Sequence, residues 1–178
     1  METNFIVDNK LRKRIEDSVE YILFLYITTE NHKSNTYKSE TNRVIVLYCV
    51  AIMEALMFLI YEEQEKRIQK LEYKESIIVP KKYNHKDYKN GEVVISVRCS
   101  KEKTEPEIGF VELLDFLKDC KVLKEETVTR IKNINQQRNT FHLRKNNLPD
   151  CSKEDVEEAL SLLFLTIEHT PRFIRKGN

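Results

Sequence analysis

One apolar run constrains the fold of this chain more than any other feature. Every residue from Val44 to Tyr61 is apolar except Glu54, which lies in the middle of the run. About 18 apolar residues approach the length that spans a membrane. A carboxylate at mid-span opposes insertion by about 2.5–3.5 kcal/mol, and the run continues directly into the charged segment 62–67. We therefore expect the central helix of a bundle and no membrane association.

The composition favours helices and excludes several functional classes. Three glycines and four prolines in 178 residues leave few turn signals, and no Gly-rich phosphate loop is present. A net charge of +1 gives no global attraction to nucleic acid, so any such contact has to be local. The four cysteines form no C-x-x-C pair, and no signal peptide is evident at the N-terminus. We expect a reducing, cytoplasmic location.

Hydrophobic periodicity predicts a mainly all-α bundle of about five helices in one domain, residues 1–178. Asp8 and Ser152 are the predicted caps of the first and last helices. The predicted helices cover residues 8–30, 41–73, 109–120, 125–144 and 152–168, and residues 31–40 are predicted to form a loop.

A small β-hairpin is expected as an insertion after the second helix, within about residues 75–103. The β-branched runs 77–79 and 93–97 are its predicted strands, and residues 80–91 form a tip rich in lysine and tyrosine. Such a tip either contacts RNA through charge and base stacking or is an ordinary solvated loop.

The best candidates for chemistry are Arg138 and His142, late in the fourth predicted helix. Residues four apart lie on one face of a helix. A guanidinium fork suits phosphate, and an imidazole exchanges protons near neutral pH. Side by side, the two could cleave a phosphodiester without metal. The alternative is a purely structural role, because an arginine and a histidine at this spacing are common on helices by chance. Arg138 lies within about 20–40° of the apolar residues Ile131 and Ile134, so it points to the packed side.

Glu54 needs a partner if it is buried within the apolar helix. That partner is either Arg138, whose guanidinium it would hold in place, or a backbone group or another cation in a structural role. His32, His85 and His169 have no metal-ligand spacing to acidic residues or cysteines. We expect neither a metal site nor a cofactor.

Two stretches resemble the HEPN superfamily (higher eukaryote and prokaryote nucleotide-binding domains). Val50 to Leu59 is similar to the long core helix of that family, with its glutamate, and Arg138 to Leu143 is similar to its Arg-Asn…His signature. The resemblance covers about residues 41–145 without the hairpin. Here three residues separate Arg138 from His142, where the family usually has four to six.

The resemblance implies a metal-independent endoribonuclease of the kind that acts as a toxin or defence effector. His142 would act as general base or acid, with the ribose 2′-hydroxyl as nucleophile. Arg138 would stabilise the transition state, Asn139 would orient His142 or the phosphate, and Glu54 would support Arg138. It also implies a homodimer that joins two motifs, RNA as ligand, and an antitoxin or other protein partner.

Two alternatives from other classes remain open. One is a non-catalytic HEPN-like module that binds RNA, a nucleotide or a protein, and the short spacing between Arg138 and His142 favours it. The other is a helical interaction protein without a nucleic-acid role, which the near-neutral net charge favours.

Overall fold

The computed structural model describes residues 3–78, 94–140 and 150–174. This part of the chain contains five α-helices and two antiparallel β-strands, which confirms the predicted fold class. The chain divides into two compact units. Met1–Gln64 together with Phe110–Asn178 form the helical unit, and Glu65–Gly109 form the unit that holds the strands. Whether the chain behaves as one domain stays a prediction.

Helix α1 spans Asn9–Glu30 and begins as predicted at Asp8. The Asp8 carboxylate accepts hydrogen bonds from the backbone N–H groups of Lys10 (2.8 Å) and Leu11 (3.2 Å), which otherwise lack helical partners. Its buried residues are Ile15, Val19, Ile22 and Thr29. α1 therefore packs through one apolar stripe, as its periodicity predicts.

Helix α2 spans Asn35–Glu62, so the predicted start at residues 41–42 is wrong. Ser34 is the N-cap, and its hydroxyl accepts a hydrogen bond from the backbone N–H of Tyr37 at 3.3 Å. The first two turns are polar and therefore lack the periodicity from which the helix was predicted. α2 runs antiparallel to α1, since the rings of Tyr21 and Tyr48 are 5.5 Å apart and Lys38 contacts the Glu30 carbonyl.

The predicted end of α2 near Tyr73 is also wrong, because the helix ends at Glu62. The Gln64 side chain donates to the Ile60 carbonyl at 2.9 Å and so satisfies one terminal acceptor. Beyond Tyr61 the chain has charged residues of good helix propensity but no apolar stripe to bury. Propensity alone does not sustain a helix without packing.

The second unit contains β1 (Gln69–Ile78) and β2 (Val94–Glu102), paired antiparallel. Both strands extend beyond the predicted β-branched runs, and β1 covers residues that had been predicted as helix. Lys70 lies 2.9 Å from Glu72 and also pairs with Glu107, which belongs to a short 3-10 helix, Glu105–Glu107. The predicted basic tip lies outside the described residues.

Three further helices complete the first unit: α3 (Phe110–Asp119), α4 (Glu125–Thr140) and α5 (Lys153–His169). A second 3-10 helix, Thr170–Arg172, follows α5. The predicted capping box at Ser152 is present, with Asp155 as its reciprocal partner. α4 runs antiparallel to α5, since Arg130 donates two hydrogen bonds to the carboxylate of Glu158 at 2.7 and 2.9 Å, and Gln137, later on α4, donates to Asp155, earlier on α5.

Lys121 ends α3 in the left-handed backbone region, with φ of 61°. Its N–H donates to the Lys118 carbonyl at 2.8 Å, and the N–H of Val122 donates to the Leu117 carbonyl at 2.9 Å. These two bonds form a Schellman motif, in which glycine is the usual residue at the left-handed position. A lysine there carries a steric cost that glycine would not.

α2 lies at the centre of the first unit and contacts each of the four other helices. By length and composition it could also cross a membrane, with a mean hydropathy of 2.5 over an 18-residue window. Of that window, 56% is buried inside the protein. A core helix has the same properties, and the four helix contacts are those expected of one.

Burial divides the cysteines of the chain into two pairs. Cys49 on α2 and Cys151 before α5 are buried, whereas Cys99 and Cys120 are partly exposed. Loss of solvation raises the pKa of the Cys49 thiol to about 12. Burial, and then the nearby Asp155 carboxylate, raise the pKa of the Cys151 thiol to about 12. The two buried thiols are therefore protonated at physiological pH.

Candidate functional site

The two long faces of α2 differ in burial although both are apolar. At about 100° per residue, the partly exposed residues of the apolar run fall within a sector of about 140°. Its apolar members, which we call the α2 outer face, are Val44, Leu47, Tyr48, Ala51, Ala55, Phe58 and Leu59. The helix is therefore central, as predicted, yet it has one apolar side that the other described helices leave partly open.

Glu54 lies at the edge of the α2 outer face, where α2 meets α4. Its side chain is 30% exposed, so Glu54 is only partly buried. One neighbour on the helix surface, Val50, is buried, and another, Phe58, is partly exposed. A carboxylate in this position keeps some water and loses part of its hydration, so a cationic partner stabilises it.

The apolar stripe of α4 fixes the position of Arg138. Val128, Ile131 and Ile134 are buried, as their spacing predicts, and Asn135 is only 5% exposed. Arg138 follows Asn135 by three residues, which places the two side chains on neighbouring positions of one helix face. The last turns of α4 are held against α5 by Gln137, whose amide donates to Asp155 at 2.7 Å.

Arg138 and Glu54 form an ion pair between α4 and α2. Nη1 of Arg138 lies 3.6 Å from Oε2 of Glu54. The same nitrogen donates a hydrogen bond to Oδ1 of Asn135 at 3.3 Å. Of the partners that the sequence left open for Glu54, Arg138 is therefore one that it contacts in the described structure.

This arrangement can present a guanidinium to an anion. The carboxylate and the amide oxygen approach the same nitrogen from two helices, and the Arg138 side chain remains 34% exposed. Part of the fork is thus accessible to a phosphate, which a guanidinium binds with parallel hydrogen bonds. Glu54 at the same time offsets the positive charge, so an incoming anion has to compete with a carboxylate.

The other two predicted site residues are not brought to this pair by the described structure. Asn139 lies on α4 but its side chain is exposed, about 100° around the helix from Arg138. His142 lies outside the described residues. The roles of Asn139 and His142 stay predictions.

Asn135 was not among the predicted site residues, although the sequence contains a signal for it. It stands four residues after Ile131 and next to Ile134, within the stripe that predicted the packed side of α4. A polar side chain in such a stripe needs a hydrogen-bond partner. Asn135, like Arg138, is a polar side chain on the packed side of α4.

The described residues contain no group of three or more histidine, cysteine, aspartate or glutamate side chains suited to a metal ion. Of the isolated histidines, His32 is exposed and its ring lies 3.9 Å from the ring of Tyr37.

In comparisons with known proteins, no family model, curated protein or solved structure matches this chain.

Proposed function

We propose that this protein is a metal-independent endoribonuclease of the HEPN type. The observation that carries the proposal is the ion pair between Glu54 and Arg138, which joins the two stretches that resemble the family. The sequence places these stretches on separate helices, and nothing in their spacing requires that they meet. Their contact is what a shared site needs.

In this proposal Arg138 stabilises the charge that develops on the phosphate in the transition state. Glu54 and Asn135 act through Arg138 by restricting the orientation of its guanidinium. His142 is the proton donor or acceptor, the ribose 2′-hydroxyl is the nucleophile, and Asn139 orients His142 or the phosphate. No metal ion takes part.

The proposed enzyme is a homodimer in which a second copy covers the α2 outer face. This face is apolar, and Leu47 and Tyr48 expose 38% and 39% of their surface. Glu54 lies at its edge, so a two-fold contact there would bring the two Arg138 side chains towards one interface. An exposed apolar patch of this kind is typical of a protein interface.

The second candidate is a non-catalytic module of the same fold that binds a protein partner. The α2 outer face favours this candidate as well, because an antitoxin or another protein would bury it equally. The offset of the Arg138 charge by Glu54 also favours it, since a paired cation attracts phosphate less strongly.

The test is cleavage of RNA by the purified chain in the presence of EDTA. Arg138→Ala and His142→Ala should each abolish cleavage. Arg130→Ala is the matched control, because Arg130 also lies on α4, is exposed to a similar extent and pairs with a glutamate of a neighbouring helix. Activity that survives Arg138→Ala, or a wild type that is inert on every RNA offered, removes the ribonuclease proposal in favour of the module.

A further inference from the structure

A pocket of about 450 Å³ opens beside the first turns of α4, near the opposite end of that helix from Arg138. α2, the link between α3 and α4, α5 and the last 3-10 helix complete its walls. The volume lies within the range of small-molecule sites. Its α4 residue nearest to Arg138 is Arg130, about 12 Å earlier along the helix axis. Neither Arg138 nor Glu54 lines the pocket, so the pocket is distinct from the ion pair.

The interior of this pocket is apolar. Thr166 and Thr170 also line it, but their hydroxyls donate to the carbonyl oxygens of Leu162 (2.8 Å) and Thr166 (2.6 Å). Neither hydroxyl can therefore donate a hydrogen bond to a ligand without first breaking its bond to a carbonyl of α5. The apolar walls are Met57, Ile60, Val122, Leu123, Leu165 and Phe173.

The mouth of the pocket carries positive charge. Lys124, just before α4, and Arg172, in the last 3-10 helix, both line the pocket, and both are exposed. Arg130 lines it too, although two of its nitrogens already bind Glu158. Glu126 contributes one carboxylate. The fully charged groups of the lining therefore comprise three cations and one anion.

We propose that this pocket binds a free single-chain amphiphilic anion with the chemistry of a medium-chain fatty acid. The alkyl chain would occupy the apolar interior, where its burial is favourable. The carboxylate would lie at the mouth, against Lys124 and Arg172. A nucleobase fits less well, because its polar edge needs several hydrogen bonds to replace those to water, and the Thr166 and Thr170 hydroxyls already donate theirs, which leaves Thr127 and His169 among the uncharged polar side chains of the lining.

The experiment is a calorimetric titration of the full chain with hexanoate, octanoate and decanoate. Each added methylene should tighten binding by at most about fourfold until the pocket is filled. Decanol and the decyltrimethylammonium cation should bind more weakly than decanoate. Methyl NMR should locate the site, with shifts at Leu123 and Leu165 and none at Val19 on α1.

Variants test the two halves of the proposal separately. Thr127→Trp should fill the pocket and abolish binding, and Leu165→Trp repeats the blockade from another wall if the first variant fails to fold. Lys124→Glu and Arg172→Glu should each weaken decanoate binding by roughly fivefold, as expected for an exposed ion pair. Lys13→Glu on the exposed side of α1 is the matched control and should change nothing.

Three results would overturn the proposal. The first is an absence of saturable binding for all three fatty acids. The second is equal binding of the decyl cation and decanoate, which would show that the charged mouth contributes nothing. The third is binding to vesicles of phosphatidylglycerol without binding of free decanoate, which would assign the cations to a membrane surface.

Discussion

Arg138 approaches Glu54 through a single nitrogen, at 3.6 Å from one carboxylate oxygen. Two turns earlier on the same helix, Arg130 meets Glu158 through two hydrogen bonds of 2.7 and 2.9 Å. The closer, two-point pair has the geometry of a structural link. The looser pair leaves its guanidinium able to exchange Glu54 for another anion.

The first prediction concerns Glu54. Glu54→Gln should keep the fold and lower the stability by about 0.2–1 kcal/mol, because both partners are about one-third exposed. Glu54→Leu loses the same ion pair but adds apolar surface to α2, so its stability should be equal to or above that of Glu54→Gln. Melting temperature and RNA cleavage are measured for both variants. Lost cleavage with intact melting supports the role of Glu54, and unchanged cleavage in both removes it from the mechanism.

The second prediction concerns the dimer. Light scattering should show a dimer at tens of micromolar, and Leu47→Glu should convert it to a monomer by placing a charge on the α2 outer face. Phe164→Glu is the control, because Phe164 on α5 is 40% exposed, close to the 38% of Leu47. A wild-type monomer, or a dimer that Leu47→Glu leaves intact, would contradict the proposed interface.

The third prediction concerns the products of cleavage. Attack by the 2′-hydroxyl should leave 2′,3′-cyclic phosphate and 5′-hydroxyl ends, which mass spectrometry identifies. A deoxyribose at the scissile position should block the reaction, because it removes the nucleophile. General acid–base catalysis contributes about 10²–10⁴-fold, so the loss in His142→Ala should be plain. Products with 3′-hydroxyl and 5′-phosphate ends would instead indicate attack by a metal-activated water.

The fourth prediction concerns the left-handed turn at Lys121. Lys121→Gly should raise the stability by about 1 kcal/mol, because glycine adopts a positive φ without the steric cost of a Cβ atom. Thermal unfolding measures the gain. Lys33→Gly, in the exposed link between α1 and α2 and without a positive φ, should show no such gain. Equal effects of the two substitutions would show that Lys121 carries no strain.

The fifth prediction concerns pH. Hydrogen bonds from Lys70, and then from the backbone and side chain of Thr104, lower the pKa of Glu107 to about 2. The folded state thus favours the carboxylate, and this contribution is complete above the ordinary pKa of about 4.3 and is lost as the pH falls towards 2. The stability difference between wild type and Glu107→Gln should be constant from pH 7 to pH 5 and narrow below it. A carboxyl NMR midpoint near the ordinary value would contradict this.

Much of the helical unit could be predicted from the sequence, because the buried apolar residues of its helices recur at regular spacing. The stripes of α1, α3 and α5 repeat at helical spacing, and Asp8 and Ser152 have the residue types of N-caps. The ends of α2 could not be placed in the same way. The start of α2 is set by the N-cap Ser34, and its first turns show no apolar periodicity. The helix ends where the following residues have no apolar stripe to pack, although their helix propensity is good.

The candidate site was predictable only in part. Glu54 stands out as a charged residue within an apolar helix, and Arg138 as one beside the apolar stripe of α4; both contrasts are visible in the sequence. Their contact depends on the register between α2 and α4, which a single sequence does not encode locally. The exposure of one apolar side of α2 was hidden for a related reason, since an apolar residue in the sequence looks the same whether a neighbour covers it or not.

The unequal burial of the cysteines makes this chain convenient for spectroscopy. Thiol-directed dyes react with the thiolate, so Cys49 and Cys151 should stay unlabelled while the protein is folded. After Cys99→Ser, Cys120 would be the single labelling position in the native protein. It stands two residues before Val122, which lines the pocket, so a fluorophore there would report local changes without the introduction of any new cysteine.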